Sequence, residues 1–359
     1  MIKNAIMRED LEYIYKGLSG TEKSNFKDSN ILITGAGGFI GYYLLNFLSE
    51  YSNVLEIKSI TALDNFLLGK PKWITQIENE KLHIINFNVV SDKYEKIESI
   101  DKIDSIIHMA SIASPTFYRQ YPLKTLDANV LGLRKILDLF SKREIRGFLN
   151  FSSSEVYGDP DQSRVPIDEE YPGNVSFNGP RACYDEAKRF GETMCYIFNK
   201  EYDMNIVSVR PFNNYGPGMK LDDARAPADF ANSIVTNKDI TIFSDGKSTR
   251  TFTYIADAII GYLKSLYYGK FDYFNIGMDK PEITIKQLAE IFSTNGEKIF
   301  GKKINLRFQN SSDPEYLTNN PRRRAPDITK AKEKLNFKPT IDVNLGVNRF
   351  LKYLKEEFQ

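Results

Sequence analysis

The chain has 359 residues, with 48 lysines and arginines against 47 acidic residues and a formal net charge of +1. That length suits one large α/β unit or two closely joined domains, and the even charge leaves no broad footprint for nucleic acid or an anionic membrane. Two cysteines (Cys183, Cys195) and two histidines (His83, His108) give neither a disulfide framework nor a metal-ligand spacing, so any chemistry must use other side chains or an organic cofactor.

Residues 1–27 are polar, with Leu11, Ile14, Tyr15 and Leu18 on one helical face. They read as a short helix packed on the main body, with a disordered leader as the alternative. Arg8, Glu9 and Asp10 interrupt any signal-peptide pattern. No run of about 18 apolar residues is present. The expectation is a cytoplasmic protein with no membrane segment.

Short apolar strands are then predicted at 31–34, 57–63, 82–86, 105–109, 148–152 and 206–210. Helices are predicted from the glycine-rich turn to residue 48, and over 122–140 and 183–202. Strands alternating with helices imply right-handed βαβ units and a doubly wound parallel sheet of the Rossmann type. After Pro211 the rhythm loosens, with helices predicted at 282–293 and 328–335. The predicted organisation is an extension (1–27), a dinucleotide-binding domain (28–212) and a smaller α/β domain (213–359). The last is taken to bind substrate and to interleave some elements with the domain before it.

Glycines 35, 38 and 41 form G-x-x-G-x-x-G where the first strand meets the first helix. A tight turn, a close backbone approach to pyrophosphate and close helix–strand packing all require glycine. The helix N-terminus, at Phe39 and Ile40, then offers N–H groups and a partial positive charge to the phosphates. Asp64 ends the next predicted strand 23 residues beyond Gly41. A carboxylate there accepts hydrogen bonds from a ribose diol and repels a 2′-phosphate, which selects NAD over NADP. Lys70 and Lys72 lie nearby and argue the other way.

Tyr184 and Lys188 are four apart on a predicted helix and share a face. Bringing a tyrosine from about 10 to about 7 requires roughly 4 kcal/mol. The reading is that the lysine ammonium, with a cationic nicotinamide, supplies it. Tyr184 would then take a hydroxyl proton as hydride leaves the same carbon. Ser153, in Ser152-Ser153-Ser154 after the fifth strand, can hydrogen-bond that hydroxyl. Glu155 reads as a base or an anchor for water; pairing with a neighbouring charge is the plainer alternative.

Together with His108-Met109-Ala110-Ser111 and Arg210-Pro211-Phe212-Asn213-Asn214-Tyr215-Gly216-Pro217, these motifs resemble the extended short-chain dehydrogenase/reductases that act on nucleotide sugars. The resemblance covers about residues 29–350. Within that group, Gly179-Pro180-Arg181-Ala182-Cys183-Tyr184-Asp185-Glu186-Ala187-Lys188-Arg189 and Arg323-Arg324-Ala325-Pro326-Asp327-Ile328 are similar to UDP-glucuronate decarboxylases. So are Ser111–Pro115, Ser154–Pro160 and Met219–Asp223. The resemblance implies oxidation at the sugar C4 by Tyr184, Lys188 and Ser153, with NAD taking the hydride. Loss of the C6 carboxylate from the β-keto acid follows, and hydride return gives UDP-xylose. It places Glu155 and Ser154 near the carboxylate and reacting carbons. Asn65, Asn88, Val89 and Ala110 go with the cofactor, Ser114 with the substrate, and Asn213 and Arg250 with the pyrophosphate. Arg324 is placed by the active site or the phosphates.

The chain departs from that pattern at Ile112 (usually proline), at Gly218 (usually arginine) and in Asp223-Ala224-Arg225-Ala226-Pro227 (usually Asp-Gly-Arg-Val-Val). A 4,6-dehydratase, a 4-epimerase and a non-catalytic NAD-binding scaffold are the competing readings. The serine at 154 weakens the dehydratase, and the presence of both Tyr184 and Lys188 weakens the scaffold. Helices near 122–140 and 183–202 are expected to form a homodimer interface.

Overall fold

Seven short strands, most of them buried, line up in parallel because helices cover both faces of the sheet. The computed structural model describes residues 3–311, 315 and 317–358. The strands are β1 (Asn30–Thr34), β2 (Ser59–Asp64), β3 (Leu82–Asn86), β4 (Ser105–His108), β5 (Gly147–Phe151), β6 (Ile206–Pro211) and β7 (Asp272–Ile276). Their order is β7-β6-β5-β4-β1-β2-β3, parallel throughout. The chain winds one way from β1 to β3 and the other way from β4 to β7. A crevice therefore opens at the carboxyl ends of β1 and β4, where ligands bind in such sheets.

The seventh strand was not predicted. It comes from beyond residue 212, preceded by the helix Ile255–Leu266, all twelve residues of which are buried. Its polar residues Asp257, Lys264 and Ser265 are buried with the rest, so no exposed polar face marks it as a surface helix. The helices Ala226–Val235 and Val343–Phe358 were also missed. The predicted helix at 122–140 is three pieces. Pro122–Asp127 and Leu133–Phe140 flank a π turn at Ala128–Gly132, where Gly132 lies so close to Val89 that an added Cβ would come within 2.7 Å of it.

The N-terminal segment forms the helix Ala5–Gly17, capped by Asn4, which buries Met7, Asp10, Leu11 and Ile14. Asp10 is wholly buried. Its carboxylate accepts from Tyr43 (2.7 Å), Tyr254 (2.6 Å) and both Nε and Nη2 of Arg349 (3.0 and 2.7 Å). Those partners stand on Phe39–Glu50, just before Ile255–Leu266 and on Val343–Phe358. One acid thus ties four helical segments together. Among the described residues, no helix is long and apolar enough to cross a membrane.

Candidate active site

Every residue singled out from the sequence as catalytic, cofactor-binding or substrate-binding lines one cavity of about 860 Å³ at the carboxyl ends of the strands. On one side lies the glycine turn. Gly35 has φ +72°, and a Cβ there would stand 2.8 Å from the backbone of Met109 and Ala110. A Cβ on Gly41 would stand 2.1 Å from the Ala36 carbonyl oxygen, so only glycine lets the helix approach the turn. Gly38 caps Phe39–Glu50 and supplies no side chain to its first N–H groups. Those uncapped donors face the cavity and fit a diphosphate. Asp64 accepts from Gly37 N (2.9 Å) and Phe66 N (2.7 Å), which fixes its carboxylate at the cavity wall with lone pairs to spare. Asn65, Asn88, Val89 and Ala110 follow the ends of β2, β3 and β4 on the same wall. The residues present therefore fit a dinucleotide with a free ribose diol.

Tyr184 and Lys188 enter from the first turns of Ala182–Tyr202. Ser153 hydrogen-bonds the Tyr184 phenol. Burial pushes that phenol up to about 12 despite the Ser153 bond, with Glu155 and Asp185 adding to the rise. Lys188 lies one turn further along the same helix. Its Nζ donates to the Phe151 carbonyl at 2.6 Å and lies 5.7 Å from the centre of the Tyr184 ring. Burial, opposed in part by Glu192, lowers the ammonium to about 7.

Glu155 follows Ser154 in the turn after β5. Its carboxylate is gripped by Arg181 (2.5 Å) and Arg324. Burial works against the charge, but Arg181, Arg324 and Arg250 override it and hold the carboxyl well below its ordinary range. Such a group is a poor base; it accepts hydrogen bonds and orders whatever donates them. Arg181 also reaches Asp185 at 3.3 Å. Arg181 had no assigned role in the sequence, although its spacing of three from Tyr184 and four from Asp185 puts all three on one helical face.

On the far side, Arg324 Nη2 donates to Asn213 Oδ1 (2.9 Å), and Asn213 Nδ2 donates to the Thr251 carbonyl (2.8 Å). Arg250 is buried, and its hydrogen bonds go to the carbonyls of Thr249, Pro321 and Arg322 and to Asn320 rather than to a carboxylate. Burial and the neighbouring Arg324 lower it to about 9. A buried guanidinium whose hydrogen bonds all go to neutral oxygens suits an anionic ligand. Ser114 donates to the Asp223 carbonyl (2.7 Å), and the Asp223 carboxylate holds Arg225 (2.9 Å).

Two of the sequence departures have a local cause or cost. Ala224 has φ +61°, a conformation glycine adopts without strain. Gly218 has φ +81°, and a Cβ there would stand 2.2 Å from the Tyr42 ring. Tyr42 fills the space that a side chain at 218 would need, and its own ring packs edge-on against Trp73. Restoring the usual residue by Gly218→Arg is therefore expected to destabilise the protein by about 2 kcal/mol or more, through strain and overpacking. Thermal unfolding checks this, and an unchanged midpoint would contradict it.

A model of the NAD dependent epimerase/dehydratase family matches residues 31–277. UDP-glucuronic acid decarboxylase 1 of Xenopus tropicalis is 34% identical over 330 residues, 92% of this chain and 73% of that protein. UDP-glucuronic acid decarboxylase 5 of Arabidopsis thaliana is 34% identical over 347 residues, 95% of this chain and 93% of that protein. Among solved structures, the UDP-glucuronic acid 4-epimerase of Bacillus cereus, in complex with UDP-glucuronic acid and NAD, superposes with TM-score 0.73 at 26% identity, over 91% of this chain and 99% of that one. The UDP-glucose 4-epimerase of Thermotoga maritima, with UDP-glucose, superposes with TM-score 0.77 at 25% identity, over 92% of this chain and all of that one.

Proposed function

The chain belongs to the NAD dependent epimerase/dehydratase family, and from that premise we propose that it decarboxylates UDP-glucuronate to UDP-xylose. One juxtaposition supports this above all. Tyr184, hydrogen-bonded by Ser153, shares a cavity with a Glu155 kept ionised between Arg181 and Arg324. NAD, when bound, supplies the acceptor that takes the sugar C4 hydride and later gives it back. Ser153 orients the C4 hydroxyl towards the phenol oxygen. Tyr184 receives the hydroxyl proton, for which it must first be ionised; at its buried value of about 12 it needs added positive charge in the loaded site for that. The C5–C6 bond then breaks and its electron pair moves onto the C4 oxygen as an enolate, while carbon dioxide leaves. Glu155 cannot donate a proton while two arginines hold it charged. It orders a donor at the reacting carbons, and Ser154 lines the same wall. Asn213, Arg250 and Arg324 face the pyrophosphate, and Ser114 holds the Asp223 turn beside the sugar.

An epimerase needs only that the keto sugar turn over and be reduced from its other face. It has less use for a carboxylate fixed at the reacting carbons. Incubation with UDP-glucuronate and NAD, followed by proton NMR, decides between them. UDP-xylose with loss of the carboxyl carbon is the expected product. UDP-galacturonate would make the protein a 4-epimerase instead, and no turnover would remove this substrate.

We further propose a homodimer. Leu123 (74% exposed), Leu131 (49%), Phe190 (50%) and Ile197 (47%) put large apolar groups on Pro122–Asp127, the π turn and Ala182–Tyr202. Leu123→Asp with Phe190→Asp is expected to turn a dimer into a monomer by light scattering; a monomeric wild type would refute the interface. The two cysteines are free thiols, which agrees with a reducing cytoplasm.

A further inference from the structure

Tyr118 stands on the short helix Pro115–Gln120 and is 1% exposed. Its ring stacks on that of Tyr184, with centroids 5.2 Å apart and planes 10° from parallel. The Arg181 guanidinium lies over the Tyr118 ring, 5.9 Å from its centre. The Tyr118 hydroxyl is buried and has no hydrogen-bond partner among the described residues. The fold thus engages the ring of Tyr118, while its hydroxyl stands at the cavity wall without a protein partner among the described residues.

We propose that Tyr118 is a positioning residue whose ring fixes the face of Tyr184, and with it the place of the phenol oxygen against the sugar hydroxyl. This rests on the reading of Tyr184 as the proton acceptor. Ser153 holds the phenol only at its oxygen, and the ring can still swing about its Cβ bonds. A parallel aromatic neighbour blocks that swing and adds about 0.5–1.5 kcal/mol beyond its burial. Tyr118 is in turn backed by Arg181, which Glu155 and Asp185 hold in place. The same guanidinium thus sets the carboxylate on one side of the site and, through Tyr118, the phenol on the other.

Two variants test this. Tyr118→Leu removes the stacked face but keeps the volume apolar. Its kcat is expected to fall roughly ten- to a hundredfold, with KM within about twofold, as a misplaced reacting group predicts. Tyr118→Phe keeps the ring; its kcat is expected to stay within about twofold and its thermal midpoint to rise, because the orphaned hydroxyl is gone. A Leu variant with wild-type kcat overturns the proposal, and so does a Phe variant that loses as much as the Leu variant. A second arm needs no substrate. With the tyrosine rings labelled by carbon-13 and Tyr184 assigned through Tyr184→Phe, the Tyr184 titration should move down towards its ordinary range in Tyr118→Leu and stay in place in Tyr118→Phe. An unmoved titration in the folded Leu variant also overturns the proposal. If wild type fails to turn over UDP-glucuronate, this arm still separates the fate of Tyr118 from that of the substrate.

Discussion

Asp10→Ala is expected to cost about 3–5 kcal/mol of stability, the range found when one member of a buried ionic cluster is removed. The loss comes less from the absent acid than from what it leaves behind. The hydroxyls of Tyr43 and Tyr254 both donate to Asp10, and the Arg349 guanidinium grips it through two nitrogens. Arg349 keeps a second partner in Glu9 at 3.0 Å, on the exposed side. Tyr43 and Tyr254 are fully buried, so no water replaces the acceptor their hydroxyls lose. Burial raises the Asp10 pKa, with Arg349, Tyr254 and Tyr43 pulling against it, so the acid is itself an uneasy tenant that only this shell makes tolerable. Asp10→Asn, which retains an acceptor oxygen, should lose distinctly less. Urea unfolding measures both, and a loss below about 1 kcal/mol for the alanine would show the cluster to be ornamental. Hydrogen exchange should open first in Ala5–Gly17, which loses its buried anchor and is then held by peripheral ties such as those of Asn4 and Tyr13.

The parts of this fold that could be read from the sequence are those whose cause is local. The glycine turn could be read because each glycine answers a demand of the backbone within a few residues of itself: a left-handed turn at Gly35, and a contact with Ala36 at Gly41. Asp64 could be read because a strand end fixes where its carboxylate points. Tyr184 and Lys188 could be placed on one helical face from their spacing alone. The bond from Lys188 to the Phe151 carbonyl could not, because no spacing along the helix reports a partner on a neighbouring strand. Likewise Arg181 lies within the most telling stretch of the chain, yet its work depends on Glu155 and Tyr118, which arrive from two other segments. The strand Asp272–Ile276 was lost with the helix before it, since both are defined by where they are buried rather than by an alternating face. The Rossmann class was thus legible and the last strand of its sheet was not.

Lys188→Met is expected to make the protein more stable and almost inactive, two effects of opposite sign from one side chain. In the folded chain the buried ammonium titrates at about 7 instead of 10.5. Each unit of such a depression corresponds to about 1.4 kcal/mol against the charged form. Methionine has nearly the same shape and no charge, but it leaves the Phe151 carbonyl without its donor, which returns about 1–3 kcal/mol of cost. A net gain of roughly 2 kcal/mol at pH 6 remains. The pH dependence carries the sign. Between about 7 and 10.5 the unfolded chain holds the lysine proton and the folded chain does not. Wild-type stability therefore rises with pH across that window, and the advantage of the methionine variant shrinks as it does. Turnover should fall at least about a hundredfold, as for loss of a group that takes part in proton transfer. A variant that gained stability yet kept its turnover would leave Lys188 as a buried strut for β5. One that lost both would mean that the bond to Phe151 outweighs the burial of the charge. Only the divided result, stability up and turnover down, marks a lysine kept in an unfavourable place for the sake of the chemistry beside it.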